Sequence, residues 1–123
     1  MSHAYGWEKK LRKTDEFSSV FRFRCSYRGE RLVVLAAPNG LEHPRLGLIV
    51  PKKIIPTAVG RNRIKRLLRE GFRLHQEHIA GLDVIARLQS AGDEPQLRQD
   101  FLRGLEACKA CVDRRQRPEN TTG

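Results

Sequence analysis

Residues 57–78 constrain the fold most, because their pattern predicts a helix with two chemically opposite sides. Six basic residues fall within positions 61–73, against a single acid, Glu70. Apolar residues recur among them at helical spacing: Ile64, Leu67, Leu68 and Phe72. A helix with this spacing docks its apolar side on a hydrophobic core and leaves its cationic side to face water or a partner. The fold must therefore supply a core on one side of this helix and open space on the other.

The basic residues of this helix are segregated as well as numerous. At about 100° per residue, Arg63 and Lys65 lie on the two flanks of the helix. The side opposite Ile64 carries Asn62, Arg66, Arg69 and Arg73. The planar fork of arginine can bind a phosphate through two parallel hydrogen bonds, and Asn62 offers a donor and an acceptor to a base edge, a 2′-hydroxyl or a phosphate. An ordinary solvated face is the alternative, but it would carry more acids to pair with the bases.

The overall charge points to the same kind of partner. The chain of 123 residues carries a formal net charge of +10, and a basic excess of this size favours nucleic acid first and an anionic membrane second. No apolar run reaches the length of a membrane span, and the first residues lack the apolar core of a signal peptide. These observations predict a cytoplasmic protein without membrane contact.

The periodicity predicts seven elements in the order α-β-β-β-α-β-α, an α+β sandwich with helices packed on a four-stranded sheet. A helix start at Thr14, followed by two acids, opens the first helix, and Thr57 can cap the second. The predicted elements cover residues 15–22, 24–29, 31–37, 45–50, 57–78, 83–88 and 95–112. Residues 1–112 form a single RNA-binding domain in this interpretation, with residues 1–13 loosely ordered and residues 113–123 a disordered polar tail.

The last helix and the cysteines predict structure rather than chemistry. An apolar stripe runs along this helix through Leu97, Phe101, Leu105, Cys108 and Val112. Cys108 and Cys111 form a Cys-x-x-Cys pair, but a zinc site needs two more ligands, and a redox motif would open a helix rather than end one. We therefore interpret Cys108 as a small core residue, with Cys25 standing alone in the sequence.

Phe17 and Phe21 lie one turn apart on the first helix and leave two interpretations open. Both rings can cover the sheet as ordinary core residues. Alternatively, one ring stays partly exposed beside the sheet as a stacking surface for single-stranded bases.

No pattern predicts a catalytic or metal site in the protein. A metal-dependent nuclease needs clustered carboxylates, whereas the acids of this chain are scattered. Only His75 and His78 have a spacing that could hold a metal, and a pair without a third ligand is interpreted as a surface pair.

Two runs of the chain resemble the signature of the bacterial ribonuclease P protein subunit. They are residues 61–70, Arg-Asn-Arg-Ile-Lys-Arg-Leu-Leu-Arg-Glu, and residues 45–53, Arg-Leu-Gly-Leu-Ile-Val-Pro-Lys-Lys. The Phe17 and Phe21 pair and the order of the elements match the same family. The resemblance covers roughly residues 11–112, and its Arg-Asn-Arg segment is the most specific part.

The resemblance implies an accessory subunit of a ribonucleoprotein enzyme. In that family the RNA subunit is the catalyst and uses Mg²⁺, and the holoenzyme removes the 5′ leader of precursor tRNA without a further protein partner. The protein subunit is therefore expected to have no catalytic residue. The family fold is similar to that of a ribosomal-protein domain and has a left-handed βαβ crossover, against the general right-handed rule.

The resemblance also assigns residues to two sites. Phe17 and Phe21 match the helix positions of the cleft that takes the single-stranded leader. The RNA-binding set, to which the charge pattern adds Arg73, is Lys52, Lys53, Arg61, Asn62, Arg63, Lys65, Arg66, Arg69 and Arg73. The chain departs from the family where some members have an aromatic residue in the second strand, since Leu35 or Ala36 stands there, and its connection over residues 54–60 is more apolar.

Two alternatives stay open from the residues alone. A ribosomal-type structural RNA-binding protein would have the same electrostatics. A basic DNA-binding module would place the cationic helix in the major groove, but no second helix is predicted three or four residues upstream to make a helix-turn-helix.

Overall fold

A computed structural model describes residues 10, 11 and 14–116 of the chain. The helices and strands follow in the predicted order, which confirms the α+β class: α1 (Thr14–Phe23), β1 (Cys25–Arg28), β2 (Leu32–Pro38), β3 (Arg45–Ile49), α2 (Ala58–Leu74), β4 (Leu82–Leu88) and α3 (Glu94–Gln116). None of the helices in these residues is long and apolar enough to cross a membrane.

The four strands form one mixed sheet in the order β1-β2-β4-β3. β2 pairs antiparallel with both β1 and β4, whereas β3 pairs parallel with β4. The parallel pairing across α2 was predicted from the β-α-β order and is confirmed. The left-handed crossover implied by the resemblance stays a prediction.

The two faces of the sheet are covered unequally. α2 and α3 pack on one face over the larger core, which includes Leu32, Leu68, Phe72 and Phe101. α1 packs on the other face over a cluster of only four buried apolar residues, Leu11, Val20, Ala37 and Ile85. Because alternate strand residues point to opposite faces, each inner strand contributes to both clusters.

α2 ends at Leu74, four residues before the predicted end at residue 78. The amide of His75 donates to the carbonyl of Phe72 at 3.1 Å, and the chain then turns until Gly81, whose φ of +84° suits glycine. This turn brings Ile79 into the core, where its side chain is fully buried. Burial of Ile79 therefore takes the place of a further helical turn.

The predicted boundaries at both ends of the domain were wrong for the described residues. Leu11 is not loosely held: it is buried in the smaller core, and its amide donates to the carbonyl of Leu46 at 3.1 Å. α3 continues to Gln116, so residues 113–116 are helical rather than part of a disordered tail. There Lys109 pairs with Asp113 at 2.8 Å. The rest of the predicted N-terminal segment and tail, residues 1–9, 12, 13 and 117–123, lies outside the described residues.

Cys25 does not stand alone in the fold. It forms a disulfide with Cys111, with 5.8 Å between the Cα atoms, and thereby links β1 to α3 across 86 residues of sequence. Cys108 is a buried core residue as interpreted, and its thiol donates to the carbonyl of Val34 at 3.3 Å. Burial raises the pKa of the Cys108 thiol to about 12. The Cys-x-x-Cys spacing therefore joins two cysteines with different roles.

Candidate nucleic-acid interface

The apolar side of α2 docks as predicted. The hydroxyl of Thr57 accepts a hydrogen bond from the amide of Gly60 at 3.0 Å and caps the helix. Ile64, Leu68 and Phe72 are buried. The opposite side of the helix is thereby fixed toward the surface.

The cationic side of α2 is not uniformly available to a ligand. Arg61 donates to the carbonyls of Ile55 and Pro56, at 3.1 and 2.9 Å, and so braces the connection before the helix. Arg73 pairs with Glu70 at 2.6 Å, and this hydrogen bond lowers the pKa of the Glu70 carboxyl. Arg61 and Arg73 were both predicted to bind RNA, but in the structure each of them already binds a group within the protein.

The remaining predicted RNA-binding residues divide between exposed and half-buried positions. Asn62, Arg63 and Arg66 are exposed on α2, as are Lys52 and Lys53 in the turn after β3. That turn is closed by the amides of residues 54 and 55, which both donate to the carbonyl of residue 51 at 3.1 Å. The lysine pair is thus presented on an ordered turn at the end of the strand that leads to α2.

Lys65 and Arg69 line an open cleft of about 140 Å³ at the β3 edge of the sheet, together with Lys10 and Phe17. We call this the edge cleft; its lining, which Leu11, Leu46, Gly47 and Leu48 complete, contains three cations and no acid among the described residues. Lys10 reaches it because the N-terminal segment bridges to Leu46 of β3. The edge cleft therefore joins α2 to α1, which the sequence assigned to separate sites.

Gly47 allows the ring of Phe17 to lie directly on β3. A Cβ atom at this position would stand 2.6 Å from the Cζ atom of Phe17, closer than real contacts allow. The ring forms part of the wall of the edge cleft and is half-buried. Any larger residue at position 47 would push the ring away from the strand.

Phe21 is the more exposed of the two rings, with 44% of its surface accessible, and lies one helical turn after Phe17. Beyond α1, Leu35 and Ile49 are partly buried on the same face of the sheet. Arg87 shares that face, pairs in register with Val33 and Ile49, and is exposed. We call Phe17, Phe21, Leu35, Ile49 and Arg87 the aromatic surface. The structure thus shows one of the two rings partly exposed beside the sheet, and its use as a stacking surface for bases stays a prediction.

An ionic network centred on the buried Asp83 side chain holds α1 against this face. Arg45 donates to both oxygens of Asp83, each at 2.8 Å, and to Glu16 of α1 at 2.8 Å. Asn39 also donates to Asp83, at 3.0 Å. The pKa of Arg45 is raised, chiefly by its hydrogen bond with Asp83. Through Glu16, the network ties the first turn of α1 to the inner strand β4, which carries Asp83.

On its other flank, α2 borders a wider groove of about 380 Å³. We call this the arginine groove: Arg63 and Arg66 of α2 face Arg98 of α3 across it, and Glu70 and Glu94 also line it. The cationic side predicted from helical periodicity is thus divided between two clefts, with Lys65 and Arg69 on one flank and Arg63 and Arg66 on the other.

Sequence reasoning missed Lys10, Arg45, Arg87 and Arg98. Arg87 had a readable signal, since it is the one charged residue inside the apolar run 84–88 and marks the open face. The other three depend on which elements meet in space. Within residues 10, 11 and 14–116, no group of three His, Cys, Asp or Glu side chains is placed to hold a metal ion.

Comparison with known proteins gives one consistent result. A family model described as Ribonuclease P matches residues 7–109. The Ribonuclease P protein component of Chromobacterium violaceum is 45% identical over 105 residues, which cover 85% of this chain and 86% of that protein. The same component of Pseudomonas putida is 43% identical over 105 residues, covering 82% of this chain and 79% of the relative. A solved structure of a Staphylococcus aureus RNase P protein mutant superimposes with a TM-score of 0.75 at 30% identity, covering 83% of this chain and 89% of that chain.

Proposed function

The chain belongs to the Ribonuclease P protein family, and from that premise we propose how its surfaces serve tRNA processing. The chain is a protein subunit of ribonuclease P. We propose that it binds the RNA subunit of that enzyme together with precursor tRNA, and that it assists removal of the 5′ leader. The catalyst in this proposal is the RNA, and no side chain of the protein takes part in bond cleavage.

Magnesium belongs to the RNA in this proposal. Mg²⁺ prefers several oxygen ligands in a near-octahedral arrangement, usually with phosphates. The described residues offer no cluster of donors to such an ion, and each of the two clefts beside α2 is lined by three cations. The chemistry supplied by bound Mg²⁺ is activation of the attacking water and stabilisation of charge at the cleaved phosphate. The part of the protein is to place the RNA.

The cationic side of α2 is proposed to contact the RNA subunit, with Lys52 and Lys53 extending this contact. The aromatic surface is proposed to take the single-stranded leader. Unpaired bases stack on an exposed ring such as Phe21, and Arg87 lies on the same face to meet their phosphates. Leu35 supplies an apolar contact where some members of the family supply an aromatic ring.

One observation carries this proposal: the edge cleft brings Lys65 and Arg69 of the basic helix to the same wall as Phe17 of α1. An RNA chain leaving the aromatic surface would pass directly onto cations of α2. Leader and RNA subunit can therefore be bound side by side on one small domain, which is what an accessory subunit for leader removal requires.

Reconstitution tests the proposal. The chain is mixed with the ribonuclease P RNA subunit of the same organism at low magnesium, and cleavage of precursor tRNA is measured. We expect stoichiometric protein to raise the cleavage rate, and binding to weaken with salt with a log–log slope on the order of −5 or steeper. A rate that stays at the level of the RNA alone would overturn the proposal.

The same assay separates the two alternatives. A structural RNA-binding protein of the ribosome would bind a ribosomal RNA fragment at least as tightly as the ribonuclease P RNA and would not raise cleavage. A DNA-binding module is disfavoured by the fold, since a strand and a turn, rather than a helix, precede α2. Binding to duplex DNA with higher affinity than to the RNA subunit would reverse that preference.

We also propose a cytoplasmic location, where tRNA precursors are processed in bacteria. Disulfides are rare in that compartment because thiols are kept reduced there. In this location Cys25 and Cys111 would stand as a pair of thiols, packed between β1 and α3, and would close to the disulfide in oxidising solution.

A further inference from the structure

The arginine groove contains a cation that no resemblance or charge run predicted. Arg98 lies on the first turns of α3, outside the basic helix, and faces the same groove of about 380 Å³ as Arg63 and Arg66. All three arginines are exposed, so their guanidinium groups can reach a ligand without rearrangement of the core.

The acids in the groove do not cancel this charge. Glu70 is already paired with Arg73 of α2, at 2.6 Å. Glu94 lies 3.4 Å from Arg98 in an exposed i,i+4 pair, a kind of contact that contributes little and can exchange for a stronger partner. A phosphate, which accepts two parallel hydrogen bonds from an arginine fork, is such a partner. The groove therefore has a net attraction for a phosphate backbone.

We propose that the arginine groove is a second contact surface for the RNA subunit, in which Arg98 of α3 and Arg63 and Arg66 of α2 bind consecutive phosphates. This inference rests on the proposed function of α2 and extends that surface onto α3. The groove lies on the flank of α2 away from the edge cleft, beside the helices of the larger core, whereas α1 and the aromatic surface lie on the other face of the sheet. Its position thus fits the RNA subunit rather than the leader.

The groove also differs chemically from the aromatic surface. Its lining contains three arginines and two acids but no aromatic side chain, and Leu67 is its only apolar member among the described residues. Such a surface offers no aromatic ring for an unpaired base to stack on, and its guanidinium groups can form paired hydrogen bonds with phosphates. It fits the sugar–phosphate backbone of a folded RNA, whose shape and charge are read without base contacts.

The test compares three matched truncations, Arg98→Ala, Arg66→Ala and Arg103→Ala. Arg103 is the control because it is also exposed on α3 but lies about 140° around the helix from Arg98. Affinity for the RNA subunit is measured as a function of potassium chloride concentration. We expect Arg98→Ala to weaken binding by about three- to tenfold and to reduce the salt slope by about one, while Arg103→Ala stays within about twofold of the unchanged chain.

A variant that is expected to bind more tightly distinguishes a specific effect on the groove from a loss of the fold. Glu94→Gln removes an acid from the groove and should tighten binding to the RNA subunit by about two- to threefold, which a damaged fold would not do. If Arg66→Ala weakens binding but Arg98→Ala behaves like Arg103→Ala, this inference is overturned and the proposed role of α2 stands. If neither truncation weakens binding, the role of α2 fails as well. If Arg98→Ala leaves binding of the RNA subunit unchanged and weakens binding of precursor tRNA to the holoenzyme, the assignment to the RNA subunit is wrong.

Discussion

The two faces of the sheet are held by different forces. On the face covered by α2 and α3, a continuous apolar core includes Phe72 and Phe101, and the Cys25–Cys111 disulfide joins the sheet to α3. On the face covered by α1, the apolar cluster has four buried members, and the Arg45 network ties the helix to the sheet. The first face resembles the interior of any small domain. The second leaves part of the sheet open, so α1 must be positioned by a few directional contacts.

This difference separates stability from binding. Apolar burial supplies most of the free energy of folding, but a surface that is buried in this way is no longer available to bind a ligand. A helix held by an ionic network needs less covered surface, and the free part of the sheet then remains for a ligand. The exposed Phe21 and Arg87 are the result. The comparison predicts that changes at the open part of the α1 face alter leader binding, whereas changes in the buried core of the other face alter stability without altering the preference for the leader.

Arg45→Ala should have the largest effect on stability. The side chain of Asp83 is only 6% accessible. Without Arg45, the Asp83 carboxylate stays buried and loses its ion pair, although Asn39 still donates to it. Breaking a buried ion pair in this way costs about 3–5 kcal/mol in the free energy of unfolding. Urea denaturation measures the loss. Arg87→Ala, on the same face but exposed, is the control and should change the free energy by less than about 0.5 kcal/mol. Equal small changes in both variants would contradict the role of the network.

Reduction of the Cys25–Cys111 disulfide should cause the next largest loss of stability. A cross-link over 86 residues contributes about 2–4 kcal/mol, so dithiothreitol should lower the Tm by the order of 10 °C. Iodoacetamide at pH 8 should then modify the partly buried Cys111 before Cys108, whose thiol has a pKa of about 12 because it is buried. Below the melting range, the reduced chain should still prefer substrate that carries a leader. A loss of this preference on reduction would mean that the disulfide face also shapes the leader site.

Gly47→Ala should weaken leader binding as well as lower stability. The new Cβ atom would collide with the Phe17 ring, at 2.6 Å, and displace it from β3. Overpacking of this kind costs about 1–3 kcal/mol, and loss of a stacking contact weakens binding of the leader by about tenfold. Gly71→Ala is the matched control, because its Cβ atom meets Phe101 at 3.0 Å on the other face. Fluorescence titration with leader-bearing precursor tRNA measures the affinity of both variants. Equal affinities would contradict the claim that only the α1 face binds the leader.

The parts of the fold that depend on local pattern were predictable from the sequence. Helical periodicity predicted which side of α2 docks, and the hydroxyl of Thr57 marked where the helix begins. Even the division of the cationic side was implicit in the angles, since Lys65 and Arg69 lie on one flank and Arg63 and Arg66 on the other. What periodicity could not supply was the neighbour on each flank, Phe17 in one case and Arg98 in the other.

Contacts between distant parts of the chain were not predictable in this way. Arg45 and Asp83 are 38 residues apart and meet because β3 and β4 pair in parallel with these two residues in register. Cys25 and Cys111 meet because α3 packs against β1. In each case the partner is set by the tertiary fold, and local spacing carries no record of it.

The central claim is that one domain presents two separate RNA surfaces, and a crossed comparison of Arg66→Glu and Phe21→Ala tests it most directly. Both side chains are exposed, so neither change should unfold the protein. Affinity is measured for the RNA subunit alone and, in the assembled holoenzyme, for precursor tRNA relative to mature tRNA. We expect Arg66→Glu to weaken binding of the RNA subunit by more than about tenfold and to leave the preference for leader-bearing tRNA intact once the complex is saturated. Phe21→Ala should do the reverse, with a loss of about tenfold in that preference and an unchanged affinity for the RNA subunit. If both variants lower both quantities equally, the two surfaces are one and the account is wrong.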